Sequence, residues 1–376
     1  MALQIYAVAY STNGTTWTTL SNVQNIVINI GRRAQLDQIN ASTANVEMRY
    51  PTGYASPITQ LVSGTYIRIS NATTSSYPIW YGEITDVTAI YGIPYENSVG
   101  NEDYLSFSCE GAFAAVGRME GNNYAMAASG IIDQFQNANT QTGLNFGYLP
   151  LSSTTQLAAT TVSSTWGDWV NRVCQSTNSR LWDGIAYNGS TIVSPFYNSV
   201  STVNFSDVAN NATNQVYSNI TFDSLADNYY TQVTVTPESF SAATVTQVGA
   251  TLPYRTYRTN TINASTAQAT DYANYLLSNY GSARFAITSV TCAGETQNSF
   301  QLDKLGVNGE FGKTVGRQIS VTFRGTTYQC VVEGVTMSAS PAGSSFTFSL
   351  SGADLNAYLQ LDNTNYGRLD FNKLGY

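Results

Sequence analysis

The side chains able to carry chemistry in this sequence are carboxylates, tyrosines and four cysteines, because the chain contains no histidine. Without histidine it cannot assemble a Ser-His-Asp or Cys-His nucleophile, a histidine zinc site or an imidazole base. Cys109, Cys174, Cys292 and Cys330 are scattered with no C-x-x-C spacing. This pattern favours small buried thiols over a redox or zinc motif.

The acidic residues offer three candidate sites, and none has the spacing that its chemistry needs. Glu83 and Glu333 lie at nearly equivalent positions of a weak repeat, but a glycosidase pair needs carboxyl groups roughly 5–10 Å apart, which two separate modules do not provide. Asp37 follows an arginine pair, which favours a turn-stabilising ion pair. Residues 362–367 lack the oxygen ligands of an EF-hand loop. The sequence predicts no enzyme, no cofactor and no metal site.

The composition favours protein interfaces. Only 11% of the 376 residues are charged, against about 25% in typical soluble domains, while tyrosine occurs 26 times. Protein interfaces are enriched in aromatic residues and depleted of charge, and arginine, which outnumbers lysine 13 to 3, suits buried pairs between subunits. Tyrosine and asparagine also suit carbohydrate stacking, so a carbohydrate-binding protein is an alternative. The net charge of −8 argues against binding of a nucleic-acid backbone.

Short runs rich in Val, Ile, Thr and Tyr, separated by Gly, Asn, Ser or Pro turns, predict an all-β segment over residues 1–110. The predicted strands are Gln4–Ala9, Gln24–Ile30, Ala44–Tyr50, Tyr66–Ser70, Ile79–Ile90 and Tyr104–Cys109. Strand-like runs return after about residue 221. The fold class is therefore mainly β, with an α+β insertion in the middle of the chain.

Helix signals lie in the middle and last thirds of the chain. Apolar residues at i, i+3, i+4, i+7 and i+8 predict a helix after Thr165, with Asp168 completing a start that resembles a capping box. The two tryptophans of this helix are expected in a core. Ser265 begins an S-x-x-Q capping box that predicts a helix over about 265–280. A last short helix is predicted over 352–361, and no window has the length of a membrane span.

A weak duplication suggests the domain organisation. Residues 64–70 resemble 316–322, and residues 77–86 resemble 328–337, while the strand with Val46 has a counterpart in the strand with Val233. Chance similarity between two hairpins is the alternative.

A true duplication predicts two related β-barrels in one chain. The predicted units are an N-terminal β-barrel at 1–110, an α/β insertion at 111–220, a second β-barrel at 221–351 and a C-terminal helix and tail at 352–376. Two similar barrels per chain let three chains close a ring of six nearly equivalent units, which would also cover exposed strand edges. A homotrimer is therefore expected.

Two segments resemble minor tail proteins of long-tailed bacteriophages. Residues 31–48, GRRAQLDQINASTANVEM, followed by Pro51, Tyr54 and WYGEITDV at 80–87, resemble the opening of that family. The run FSLSGADLNAYLQLD at 348–362, with YGRLD at 366–370, is similar to its close.

This resemblance implies a baseplate-hub-like fold with two tail-tube-like β-barrel domains and a structural role in the virion tail tip. Such a hub caps the tail tube, contacts the distal tail ring, the tape-measure protein and the central fibre, and lets DNA pass without specific binding. It would be made in the host cytoplasm. A distal tail ring protein and a receptor-recognition protein that binds carbohydrate are the alternatives. The candidate assembly contacts are Arg32, Arg33, Asp37, Tyr366, Arg368 and Leu369.

Overall fold

A computed structural model gives the fold of most of the chain. The structure describes residues 6–51, 59–71, 78–90, 102–149, 155–186, 189–193, 200–208, 214–224, 229–281, 286–293 and 314–352. Within these ranges the chain is mainly β, as predicted, and the helices are few. Fourteen of the described strands form one sheet.

The first part of the chain forms seven strands, and all six predicted strands are confirmed. They are β1 (Tyr6–Ser11), β2 (Thr18–Thr19), β3 (Val23–Gly31), β4 (Thr43–Pro51), β5 (Tyr66–Asn71), β6 (Pro78–Ile90) and β7 (Glu102–Glu110). Side chains of a strand point alternately to its two faces, so Ile26 and Ile28 are buried in the main core while Val27 and Asn29 are exposed.

The middle of the chain folds around a second core. Its elements are α1 (Ala112–Arg118), β8 (Tyr124–Met126), β9 (Ser129–Gly130), α2 (Ile131–Thr142), β10 (Asn145–Leu149), β11 (Gln156–Leu157), β12 (Thr160–Val162), α3 (Trp166–Thr177), β13 (Arg180–Ala186) and β14 (Gly189–Val193). The capping box of α3 is confirmed, because the Thr165 hydroxyl accepts from the Asp168 amide and the Asp168 carboxylate accepts from the Thr165 amide. Trp166 and Trp169 are buried in this core, as predicted.

The last part belongs to the main sheet, and a small separate unit interrupts it. Its elements are β15 (Val200–Ser206), β16 (Asn214–Val216), β17 (Asn219–Asp223), β18 (Gln232–Pro237), β19 (Ala243–Thr246), β20 (Thr256–Thr261), α4 (Thr266–Tyr280), β21 (Ala286–Ala293), β22 (Gln318–Phe323), β23 (Thr326–Ser340) and β24 (Gly343–Gly352). The predicted helix α4 is confirmed, and it packs on the three-stranded sheet β19-β18-β20. The predicted helix at 352–361 lies outside the described residues.

The main sheet contains the same five-strand pattern twice. In the first module the hydrogen-bonded order is β3-β4-β7-β6-β5, and in the second module it is β17-β21-β24-β23-β22. Both modules are antiparallel throughout, and their strands follow one another along the chain in the same sequence. A shared order with shared connectivity is strong support for the predicted duplication.

Local details fix which residues correspond. Gly64 and Gly316 both have positive φ, +87° and +83°, and their amides donate to the carbonyls of Ile84 and Val332 at 2.8 and 2.7 Å. The long strands β6 and β23 are both irregular just after these two residues. Ile84 therefore corresponds to Val332, and the residue after it, Thr85, to Glu333.

Two details of the sequence alignment are wrong. The sequence repeat sets Ile84 against Val335, three residues too far, because the loops of the two hairpins differ in length and alternating apolar residues match in more than one register. The repeat also matches the strand of Val46 with that of Val233. The structural counterpart of β4 is β21, whereas Val233 lies in β18 of the separate small sheet.

The two modules join edge to edge. The second half of β23 pairs with β3, from Gly334 opposite Gly31 to Ala339 opposite Ile26. The first half of β23 pairs with β22 on the same edge. No closed barrel is found among the strands that the structure describes, so the barrel prediction is confirmed only as mainly β.

Candidate assembly site

The seam between the modules is built around Gly31, Gly334 and the buried carboxylate of Glu333. Gly31 ends β3 with φ of +78°, and a Cβ added there would lie 2.4 Å from the carbonyl oxygen of Glu333. The following amide, that of Arg32, donates to this carbonyl at 3.0 Å. The irregularity in β23 between Val332 and Gly334 turns the Glu333 side chain into the interior, where it is fully buried.

Two arginines from different parts of the chain neutralise this carboxylate. Arg180 of β13 is itself buried, and its Nε donates to Glu333 Oε2 at 3.0 Å, while its Nη2 also contacts Oε1. Arg32 Nε donates to Oε2 at 2.9 Å. The Ser351 hydroxyl donates to Oε1. The cluster therefore ties the first module, the insertion and the second module together.

Electrostatics decide the ionisation of this cluster. Burial by itself would raise the pKa of Glu333, but the guanidinium groups of Arg180 and Arg32 outweigh it and lower the pKa to about 2. Burial acts to lower the pKa of Arg180, and the charge of Glu333 overcomes this and raises it. Glu333 and Arg180 are therefore both charged at neutral pH, and Arg32 brings a second guanidinium group to the same carboxylate.

A second buried carboxylate fastens the insertion to the first module. Asp183 of β13 accepts hydrogen bonds from the amides of Ser42 at 2.9 Å and Phe113 at 3.1 Å. The Ser42 hydroxyl in turn accepts from Trp80 Nε1 at 2.8 Å. Burial raises the pKa of Asp183, against the hydrogen bonds from Ser42 and Phe113.

Substitution of Gly31 tests how close the two strands must be. We expect Gly31→Ala to cost about 2–3 kcal/mol, because alanine is strained at positive φ and its Cβ would also overlap the Glu333 carbonyl. Gly64→Ala is the matched control: Gly64 has φ of +87° and open space around it, so only the backbone strain of about 1 kcal/mol applies. Urea denaturation of both variants measures the difference, and equal losses would contradict the close approach.

The structure brings three of the six predicted contact residues together. Arg32, Arg33 and Asp37 line one cleft of about 660 Å³ between the end of β3 and the strands β17, β21 and β24. Arg33 and Asp37 are exposed. The Asp37 carboxylate accepts from the Ala34 amide at 2.8 Å and stabilises the turn in this way, whereas Arg32 binds Glu333. Tyr366, Arg368 and Leu369 lie outside the described residues, and contacts of all six with other chains stay a prediction.

Arg180 and Asp183 were missed by sequence reasoning. Their signal is a charge on either side of the apolar pair Leu181-Trp182 in one short strand, because a charge that is buried with such a pair needs a partner. The sequence suggests Glu333 only as one half of a possible glycosidase pair.

The described residues show no catalytic arrangement of these groups. Glu83 is exposed on β6, whereas Glu333 is enclosed in its ion cluster. Within the described ranges no three His, Cys, Asp or Glu side chains form a metal-binding group. The prediction of buried thiols is confirmed, since all four cysteines are buried and free, and burial raises the pKa of each. None of the described helices combines the length and the hydropathy needed to cross a membrane.

Comparison with known proteins gives structural matches without a sequence match. No protein-family model matches the chain, and no curated protein matches it significantly. A tail protein from Neisseria meningitidis MC58 matches 93% of this chain and 97% of its own, with a TM-score of 0.65 and 12% identity. The 43 kDa tail protein of prophage MuSo2 from Shewanella oneidensis matches 92% of this chain and 98% of its own, with a TM-score of 0.64 and 11% identity. Prophage tail protein gp18 from Listeria monocytogenes EGD-e matches 92% of this chain and 94% of its own, with a TM-score of 0.52 and 7% identity.

These matches extend over nearly the full length of both chains, so they describe the whole architecture and not one shared hairpin. Identities of 7–12% carry no residue roles across. These three structural neighbours are tail proteins, two of them from prophages, and this chain shares their fold.

Proposed function

We propose that this chain is a structural hub of a bacteriophage tail tip, which closes the tail tube as a homotrimer of pseudo-sixfold symmetry. The duplicated strand order carries the proposal, because two equivalent modules per chain let three chains present six similar units. The fold shared with phage tail proteins supports the structural class.

The predicted domain organisation is part of this proposal. The units are a β-barrel at 1–110, an α/β insertion at 111–220, a second β-barrel at 221–351 and a C-terminal helix and tail at 352–376. The two β units would complete tail-tube-like barrels within the assembled ring. Most buried apolar residues of the insertion form a core of their own, whereas Trp182 and Phe205 pack in the core of the main sheet. The separate core supports the division into a ring-forming part and an inserted part.

The polar groups of the molecule support scaffolding over catalysis. The buried charged groups of Arg32, Arg180 and Glu333 pair with one another and hold three parts of the chain together. A net charge of −8 repels phosphates, so DNA would pass through the ring without specific binding.

The proposed partners are the distal tail ring, the tape-measure protein and the central fibre, and the proposed place is the tail tip of a virion whose parts are made in the host cytoplasm. Arg33 and Asp37, exposed at the cleft, are the described residues best placed to contact them. Arg32, Tyr366, Arg368 and Leu369 remain proposed assembly contacts.

The mass of the purified full chain in solution tests the proposal. A particle three times the mass of the chain supports the hub. A hexamer would point to a distal tail ring protein, and a monomer that binds glycans on an array would point to a receptor-recognition protein. Either of these results contradicts the trimeric hub.

A further inference from the structure

Among the strands that the structure describes, the duplication leaves two strand edges without the partner that their counterparts have. In the second module, β23 pairs with β22 along its first half and with β3 along its second half. In the first module, β6 pairs with β5 only as far as Glu83, and no described strand lies beside Asp86–Ile90 on that edge. We call Asp86–Ile90 the β6 edge.

The strand that fills the equivalent place beside β23 has its own counterpart in the second module. The strand that fills this place on β23 is β3, and β3 corresponds to β17 in the second module. Among the described strands β17 pairs with β21 alone, so the edge that β3 uses to bind β23 is open on β17. We call Asn219–Asp223 the β17 edge. The described part of each chain therefore carries one edge of each kind.

We infer that the β6 edge of one copy pairs antiparallel with the β17 edge of the next copy, in the register of the internal seam. The number of copies rests on the proposed function, whereas the pairing rests on the duplication alone. The contact is heterologous, since each copy binds its two neighbours through different edges, and such contacts close into a ring when the rotation permits.

The register follows from the internal seam residue by residue. There Thr336 opposes Asn29, Met337 opposes Ile28 and Ser338 opposes Val27. Because Val332 corresponds to Ile84, the equivalents of these three β23 residues in β6 are Thr88, Ala89 and Ile90. The pairings of β4 and β21 show that Ile26 corresponds to Ile220. The equivalents of the three β3 residues in β17 are therefore Asp223, Phe222 and Thr221. The predicted opposed pairs are Thr88–Asp223, Ala89–Phe222 and Ile90–Thr221.

The side chains at these positions fit the seam pattern. Thr336 Oγ1 donates to Asn29 Oδ1 at 2.9 Å across the internal seam, and the Thr88 hydroxyl can donate in the same way to the Asp223 carboxylate. Thr88 and Asp223 are both exposed. Ala89 and Phe222 are both half-buried against the main core, so the small residue faces the large one on the inner side.

The exposed apolar surface of the β6 edge gives an energetic reason for pairing. The Ile90 side chain is 59% exposed, and Tyr104, opposite it on β7, is 44% exposed. An open strand edge with apolar side chains invites uncontrolled association unless a partner covers it. Pairing with the β17 edge would satisfy backbone groups of both strands and cover Ile90, which is the mode of strand addition.

Cysteine cross-linking of the full chain tests the register. Ile90→Cys and Thr221→Cys are made as two separate single variants, mixed through reversible dissociation and oxidised, so that any disulfide joins two chains. Directly opposed Cβ atoms lie about 4.5–5.5 Å apart and diagonal ones about 7–8 Å. We expect cross-linked dimers on a non-reducing gel, at least tenfold more than when Asp223→Cys replaces Thr221→Cys. The native cysteines are buried, which keeps the background low.

The outcomes separate the pairing from the proposed function. A trimer whose in-register mixture gives no more disulfide than the displaced mixture overturns the pairing and leaves the hub proposal standing. In-register disulfides in an assembly of another size support the pairing and overturn the trimeric hub. A monomer without disulfides overturns both.

Discussion

Replacing Glu333 by Gln should lower the free energy of unfolding by roughly 3–5 kcal/mol, because two guanidinium groups then share a buried site without a counter-charge. Arg180 is 1% exposed and the Arg32 side chain 7% exposed, so water cannot take over the role of the lost carboxylate. The loss should be global, since the cluster joins the first module, the insertion and the second module. Urea denaturation followed by circular dichroism measures it as a shift of the midpoint.

The matched control for this variant is Glu110→Gln. Glu110 pairs with Arg118 at the surface, where the two side chains are 36% and 67% exposed, and exposed pairs contribute about 0–1 kcal/mol. A Glu333→Gln variant no less stable than Glu110→Gln would show that the buried cluster does not hold the modules together.

The same carboxylate predicts how stability depends on acid. Because the folded-state pKa of Glu333 is lowered to about 2 from its ordinary value of 4.5, its contribution is complete above about pH 4.5 and is lost as the pH falls toward 2. This contribution is on the order of 3 kcal/mol. Asp183 acts with the opposite sign, since its raised pKa favours the protonated form in the folded state. Melting temperatures between pH 5 and 2.5 should fall more steeply for the native chain than for Glu333→Gln.

Local sequence signals predicted the elements well because their causes are local. The capping residues Thr165 and Ser265 begin their helices by binding amides three residues ahead, and these bonds need no distant partner. The six predicted strands of the first 110 residues follow from β-branched and aromatic runs between turn residues. Burial of Trp166 and Trp169 follows from their helical spacing alone.

Pairings across long sequence distances were beyond prediction for physical reasons. The counterpart of β4 is β21, which lies beyond the small unit of β18–β20 and α4, and alternation of apolar residues does not distinguish one strand from another. The inward turn of Glu333 depends on an irregularity in β23, and its partner Arg180 is 153 residues away. A single sequence contains no signal for such a pair beyond the unusual charges themselves.

Opposite charges placed at Thr88 should change assembly in opposite directions. The inferred register sets Thr88 of one copy against Asp223 of the next, and like charges directly opposed on neighbouring strands are destabilising by about 1 kcal/mol. Thr88→Asp should therefore cost about 3 kcal/mol over the three contacts of a trimer, which is more than a hundredfold in the equilibrium between trimer and monomer. Thr88→Lys places an ammonium group against the carboxylate and should leave the trimer intact or strengthen it. Sedimentation equilibrium over a range of concentrations measures both.

The Thr88→Asp and Thr88→Lys variants control for each other, because they differ only in the charge placed at one position. Thr88 is exposed and lies opposite the uncharged Ser106 on β7, so neither variant should change the stability of the single chain by more than about 0.5 kcal/mol. Salt screens the repulsion, and 0.5 M NaCl should therefore recover part of the assembly lost in Thr88→Asp. Equal loss of assembly in the aspartate and lysine variants, or no loss in either, would mean that Asp223 does not face this residue and that the ring closes through another surface.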